Sequence, residues 1–113
     1  MEVAESRRGA VVILTPSPEV DVRALPAFEV RIDVLLASGV RGLVFDLTRV
    51  VLLPSTAAGF LSNCAARAKR AGARLAVAAP SPHVRRTLVT LGLEPVLTLR
   101  DSLDAAVKAV TPA

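Results

Sequence analysis

Few side chains in this sequence could trade protons, hold a metal ion or accept a transferred group. His83 is the sole histidine. It follows Ser81-Pro82 and precedes Arg85-Arg86 at a predicted helix start, which reads as an exposed polar residue and not as a general base. Cys64 is the sole cysteine, so an internal disulfide is impossible and a cysteine metal site is not expected. Its place within a predicted helix fits a small buried residue. The chain has no glycine-rich phosphate loop, no Gly-x-Ser-x-Gly elbow and no helical two-histidine motif. No catalytic residue, metal or cofactor is therefore expected, and the chain does not read as an enzyme.

Three polar positions remain. Asp46 follows Leu43-Val44-Phe45 near the C-terminal end of a predicted central strand, where α/β sheets place ligand groups; a carboxylate there can equally order a turn by accepting backbone N–H bonds. Asp21, in Glu19-Val20-Asp21, stands where it can cap the first helix. Ser55-Thr56 is the most informative pair. Pro54 ends an apolar stretch, a hydroxyl residue opens a helix, and Ala57, Ala58 and Gly59 leave that helix start uncrowded. As an N-cap, Ser55 would stabilise the helix by about 1 kcal/mol. The same hydroxyl is also reachable by a kinase, and a phosphate there would add about −1.5 to −2 charges at the positive end of a helix. Such a dianion leaves the fold intact but is incompatible with an apolar docked surface.

The elements that would position these residues alternate between strand and helix. Gly9-Ala10-Val11-Val12-Ile13-Leu14 predicts a buried strand closed by Pro16 and Pro18, and residues near Val3 a short edge strand. Leu25, Phe28, Ile32, Leu35 and Leu36 recur at helical spacing up to Gly39, with Pro26 in the first turn. Gly42 to Leu47 predicts a second buried strand, and Val50 to Leu53 continues its apolar character. A second helix runs from Ser55, carrying Ala58, Leu61, Ala65 and Ala68 on one face and Arg67, Lys69 and Arg70 near its end, to Gly72. Arg74 to Ala79 predicts a third strand, Ser81 to Leu91 a third helix, Pro95 to Leu99 a last strand and Ser102 to Val110 a closing helix. The expected fold is one α/β domain over residues 1–113, with its core at about 9–110: a mixed, mostly parallel sheet of four to five strands with helices packed on it.

Composition narrows the function classes. Hydrophobic residues make up 52% of the chain while Trp and Tyr are absent, so the core is aliphatic and no aromatic platform for base stacking is available. The net charge of +4 comes from scattered arginines, and direct nucleic-acid binding is not expected. The cluster Arg67, Lys69, Arg70 and Arg74 reads as a solvated face, with a docking patch as the alternative. Charges or prolines interrupt every apolar run before the ~20 residues of a membrane helix, and Met1-Glu2-Val3-Ala4-Glu5 lacks the basic region followed by an apolar one that a secretory leader would show. A soluble, cytoplasmic protein without membrane insertion is expected.

Read together, Glu19-Val20-Asp21, Val44-Phe45-Asp46-Leu47 and Pro54-Ser55-Thr56-Ala57-Ala58-Gly59-Phe60-Leu61 resemble the STAS domain, and within it the bacterial anti-sigma-factor antagonists. Gly72-Ala73-Arg74-Leu75-Ala76-Val77, Val84-Arg85-Arg86-Thr87-Leu88, Leu91-Gly92-Leu93 and Ser102-Leu103-Asp104-Ala105-Ala106 extend the likeness over almost the whole chain. The resemblance implies a partner-switching protein that captures an anti-sigma factor, itself a serine kinase, and so frees a sigma factor for transcription. It carries the phosphorylated serine onto Ser55, with Thr56 as alternative, and partner binding onto Asp21, Asp46 and Pro54 to Gly59. In many members a phosphatase restores the binding form. The family usually has Asp-Ser-Ser-Gly or Asp-Ser-Thr-Gly at the turn, whereas this chain has Pro54 for the Asp and Ala57 for the Gly. The alternative is thus a STAS subunit that binds without switching, in a stress-signalling assembly or a lipid-transport complex.

Overall fold

In the computed structural model, which describes residues 2–79 and 81–111, a five-stranded sheet runs in the order β1-β2-β3-β4-β5. β1 (Val3–Arg8) turns at Gly9-Ala10 into β2 (Val11–Pro16) and pairs with it antiparallel. Gly9 takes a positive φ of 60°, which an L side chain rarely adopts and glycine adopts freely. β3 (Gly42–Asp46), β4 (Arg74–Ala78) and β5 (Leu99–Arg100) continue the sheet in parallel. The mixed, mostly parallel sheet is the one expected, and its first strand is longer than the short edge the sequence suggested.

Alternation along β2, β3 and β4 sends successive side chains to opposite faces, and both faces are covered. Val12, Leu14, Leu43, Phe45, Leu75 and Val77 meet α1 (Leu25–Ala37), α2 (Ser55–Arg70), α3 (Pro82–Thr90) and α4 (Glu94–Leu97). Val11, Ile13, Val44, Ala76 and Ala78 meet α5 (Leu103–Val110) alone. Two-sided burial explains why β2 and β3 are continuous apolar runs. α5 rests so close to the sheet that a Cβ on Gly42 would lie 2.8 Å from the Val110 carbonyl oxygen. Since that neighbour is backbone and cannot swing away, Gly42→Ala is expected to destabilise the fold by about 1–3 kcal/mol, read as a lower midpoint in chemical denaturation.

Two predicted elements differ. The stretch Pro95 to Leu99, expected as a strand, begins with the single-turn helix α4, and only Leu99–Arg100 joins the sheet. Pro95 lies in the first turn of α4, where a missing N–H costs nothing, and Thr98 at φ 49° breaks the helix before the strand. Asp21 caps a 3-10 turn, Val22–Ala24, that leads into α1, and does not cap α1 itself: its Oδ1 accepts from the Arg23 N–H at 3.0 Å. Pro26 sits in the first turn of α1, and Gly39, Gly72 and Gly92 follow α1, α2 and α3 with positive φ.

The α1–α2 contact has an apolar and an ionic part. Phe28 on α1 packs edge-on against Phe45 at a centroid distance of 5.7 Å and, with tilted rings, against Phe60 on α2 at 5.5 Å. Two turns further along α2, Arg67 bonds Glu29 at 2.9 Å and Asp33 at 2.7 Å. Arg67 of the basic cluster is thus committed to an intramolecular ion-pair network, while Lys69, Arg70 and Arg74 are exposed. Cys64 is buried beside this network, and burial pushes its thiol up to about 12, far from the range of a reactive thiolate.

Candidate protein-binding site

The site begins at the C-terminal ends of β2 and β3, where two connections leave the sheet on the same side. The first, residues 17–21, runs beside the second, residues 47–54. Glu19 and Leu52 form an isolated parallel bridge, and the Val51 N–H points to the Pro18 carbonyl at 3.5 Å. Val20, Leu53 and Ala57 line one apolar crevice together with Phe28 and Phe60, with free space of only about 20 Å³. The two loops and the start of α2 therefore form one surface.

Asp46 builds this surface from beneath. It is the one buried charged residue among those described, at 7% exposure. Its Oδ1 accepts from the Thr48 N–H at 3.1 Å and its Oδ2 from the Thr15 hydroxyl at 3.4 Å. These bonds fix the turn that follows β3, the ordering role open to a carboxylate at a strand end. Leu47, Val50 and Leu53 then turn into the core, which leaves Val51 and Leu52 outside at 71% and 61% exposure. Two large adjacent aliphatic side chains displayed on a loop tip, beside a helix start, form an apolar contact point with no cover among the described residues.

Ser55 is not the N-cap of α2. That position belongs to Pro54, which has extended backbone at φ −62° and ψ 149°, and whose carbonyl accepts from the Ala58 N–H at 3.1 Å. The proline ring presets this φ but offers no side-chain acceptor, so Ser55 begins the helix proper. Its hydroxyl caps nothing and is exposed, as is Thr56. The N–H groups of residues 55–57 precede the helical ladder and point outward from the positive end of the helix dipole. Because the hydroxyl has no capping bond to lose, Ser55→Ala is expected to change stability by less than about 0.5 kcal/mol, against about 1 for a true cap. Denaturant titration checks this.

The remaining positions divide by burial. Gly59 is exposed and Pro54 half-buried, so both can touch a partner. Ala57 and Ala58 are 3% and 0% exposed; like Asp46 they can serve the surface only by shaping it. Asp21 lies at the far end of the first loop, its carboxyl held below the usual range by the bonds from the Arg23 side chain and backbone. Val51 and Leu52 were not legible as surface residues, because the Val50-Val51-Leu52-Leu53 run has no period that separates inward from outward positions. His83 is exposed at the start of α3. Among the described residues no cluster of potential metal ligands occurs, and no helix is long and apolar enough to cross a membrane.

A family model of the STAS domain matches residues 3–106. An anti-sigma factor antagonist from Mycobacterium paratuberculosis superposes with a TM-score of 0.84 at 28% identity, covering 96% of this chain and 92% of that one. The unphosphorylated form of the anti-sigma factor antagonist SpoIIAA gives a TM-score of 0.79 at 17% identity, with 96% of each chain covered. The phosphorylated form of SpoIIAA, a Bacillus cell fate determinant, gives 0.73 at 16% identity, covering 96% of this chain and 99% of that one. No curated protein sequence matches the chain.

Proposed function

Because the chain belongs to the STAS-domain family, we propose that it is an anti-sigma-factor antagonist that captures its anti-sigma factor on the surface formed by residues 17–22, the Val51-Leu52 tip and the start of α2. The observation that carries this reading is the exposed pair Val51 and Leu52, four and three residues before an exposed Ser55 whose hydroxyl makes no capping bond. The apolar tip supplies contact area, and the hydroxyl beside it is a place where charge can remove that contact. An antagonist of known structure at 28% identity over nearly the whole length supports the class.

In this reading the anti-sigma factor is also a serine kinase, Ser55 accepts phosphate with Thr56 as alternative, and a phosphatase returns the binding form. A phosphate on Ser55 lies within the field of the α2 N-terminus, whose free N–H groups stabilise a dianion without unfolding the helix. SpoIIAA occurs in phosphorylated and unphosphorylated forms. Pro54 and Ala57, which replace the residues that usually frame the serine, favour the second reading, a STAS subunit that binds without switching.

The test is capture of partners by the tagged chain from its native cell extract, followed by incubation of the purified pair with ATP and phosphate mapping. Capture of an anti-sigma factor with a histidine-kinase-like ATPase domain, and phosphate on Ser55 or Thr56, is the expected result. Capture without phosphate on either residue removes the switch and leaves the binding role. A membrane-transporter partner instead overturns the antagonist assignment.

A further inference from the structure

The sheet has one long open edge. β5 spans two residues, but β1 at the other edge spans six, all exposed except Val3, which is half-buried. The Ser17 N–H donates to the Glu2 carbonyl at 2.9 Å. Alternation of an antiparallel ladder then commits Ala4, Ser6 and Arg8 to β2 and leaves the backbone N–H and C=O of Val3, Glu5 and Arg7 facing away from the sheet. We propose that this edge pairs antiparallel with the β1 edge of a second copy of the chain, about a twofold axis at Ser6.

Charge selects both the partner and the register. A twofold perpendicular to the sheet sets residues of the same face opposite each other, so the nearly centred registers are those about Glu5 and about Ser6. The first places Glu5 against Glu5 of the second copy, a like-charge pair directly opposite, which is unfavourable. The second places Glu5 against Arg7 of the second copy, and by symmetry does so twice. Charged edges ordinarily discourage pairing; the Glu5-Ser6-Arg7 order makes an antiparallel copy of itself the strand that these charges favour.

The helix above this edge agrees. Arg31 on α1 forms a two-bond ion pair with Glu5, at 2.9 and 2.7 Å, and so marks the side of α1 that overhangs β1. Ala27 and Val34, four residues before and three after Arg31, share that side; both are exposed, Val34 at 51%. The twofold brings the two α1 helices next to each other over one continuous ten-stranded sheet, and each Glu5 carboxylate comes between its own Arg31 and the second copy's Arg7. The two Val51-Leu52 surfaces then point in opposite directions, and both stay free.

Sedimentation velocity across a concentration series, together with two cysteine variants, tests this. The chain is expected to sediment as a monomer–dimer equilibrium. Arg7→Glu is expected to weaken the dimer by about tenfold or more. Ser6→Cys places two thiols in a non-hydrogen-bonded pair about 4.5 Å apart at Cα, within disulfide reach, and is expected to form an intermolecular disulfide on mild oxidation. Ala4→Cys separates them by roughly 13 Å along the strands and is expected to remain unlinked. A monomer at every concentration, a dimer indifferent to Arg7→Glu, or equal crosslinking at positions 4 and 6 overturns the proposal.

Discussion

Ser55→Asp is expected to weaken binding of the captured anti-sigma factor by about 30-fold or more, corresponding to roughly 2 kcal/mol for desolvating a charge in an apolar contact. The fold is expected to be unaffected, since Ser55 is exposed and makes no capping bond and an acidic residue in the first turn of a helix is favourable. Ser55→Ala is the matching control: it removes an exposed hydroxyl without adding charge, and its affinity is expected to stay within a few-fold of the parent. Calorimetric titration of the three proteins separates a charge effect from a contact effect. If the Asp and Ala variants lose affinity equally, the hydroxyl is a contact and not a switch. If neither loses affinity, the partner docks elsewhere.

The second large effect is structural. Phe45→Ala is expected to cost about 3–5 kcal/mol, the usual range for removing a large buried aromatic. Phe45 is fully buried on the central strand and belongs to the aromatic cluster with Phe28 and Phe60. Against the 5–15 kcal/mol that a domain of this size typically has, the loss lowers the melting temperature by roughly 10–20 °C. The same cluster underlies Leu53 and Ala57 at the crevice beneath the site, so partner affinity is expected to fall as well, even at temperatures where the variant remains folded. Val30→Ala, at an exposed position of α1, is expected to stay within about 0.5 kcal/mol. A thermal melt of both variants checks the contrast.

Much of this architecture was legible because burial on both faces leaves a strong mark. The runs Val11 to Leu14 and Leu43 to Phe45 read as buried strands, and the helical spacing from Leu25 to Leu36 ended at a glycine with positive φ. Local rules failed where several conformations fit the same residues. Glu94-Pro95-Val96-Leu97 is short and apolar, and whether it coils or extends depends on the packing of Leu97 in the core. Capping was misplaced at Ser55 because backbone geometry decides the N-cap, and proline's φ suits that position although its side chain cannot bond. At the site, Ser55 and its setting could be read from the turn residues, whereas Val51 and Leu52 could not. Their exposure follows from Asp46 fixing the preceding turn, a contact with Thr15 across thirty-one positions of sequence.

In the proposed function one surface, made of residues 17–22, Val51-Leu52 and the first turn of α2, holds the partner. Amide hydrogen exchange of the chain, alone and in complex with its captured anti-sigma factor, tests it most directly. New protection confined to residues 17–22 and 50–60 is the predicted result. Protection centred on α5, with residues 50–60 exchanging as they do in the free chain, would contradict it.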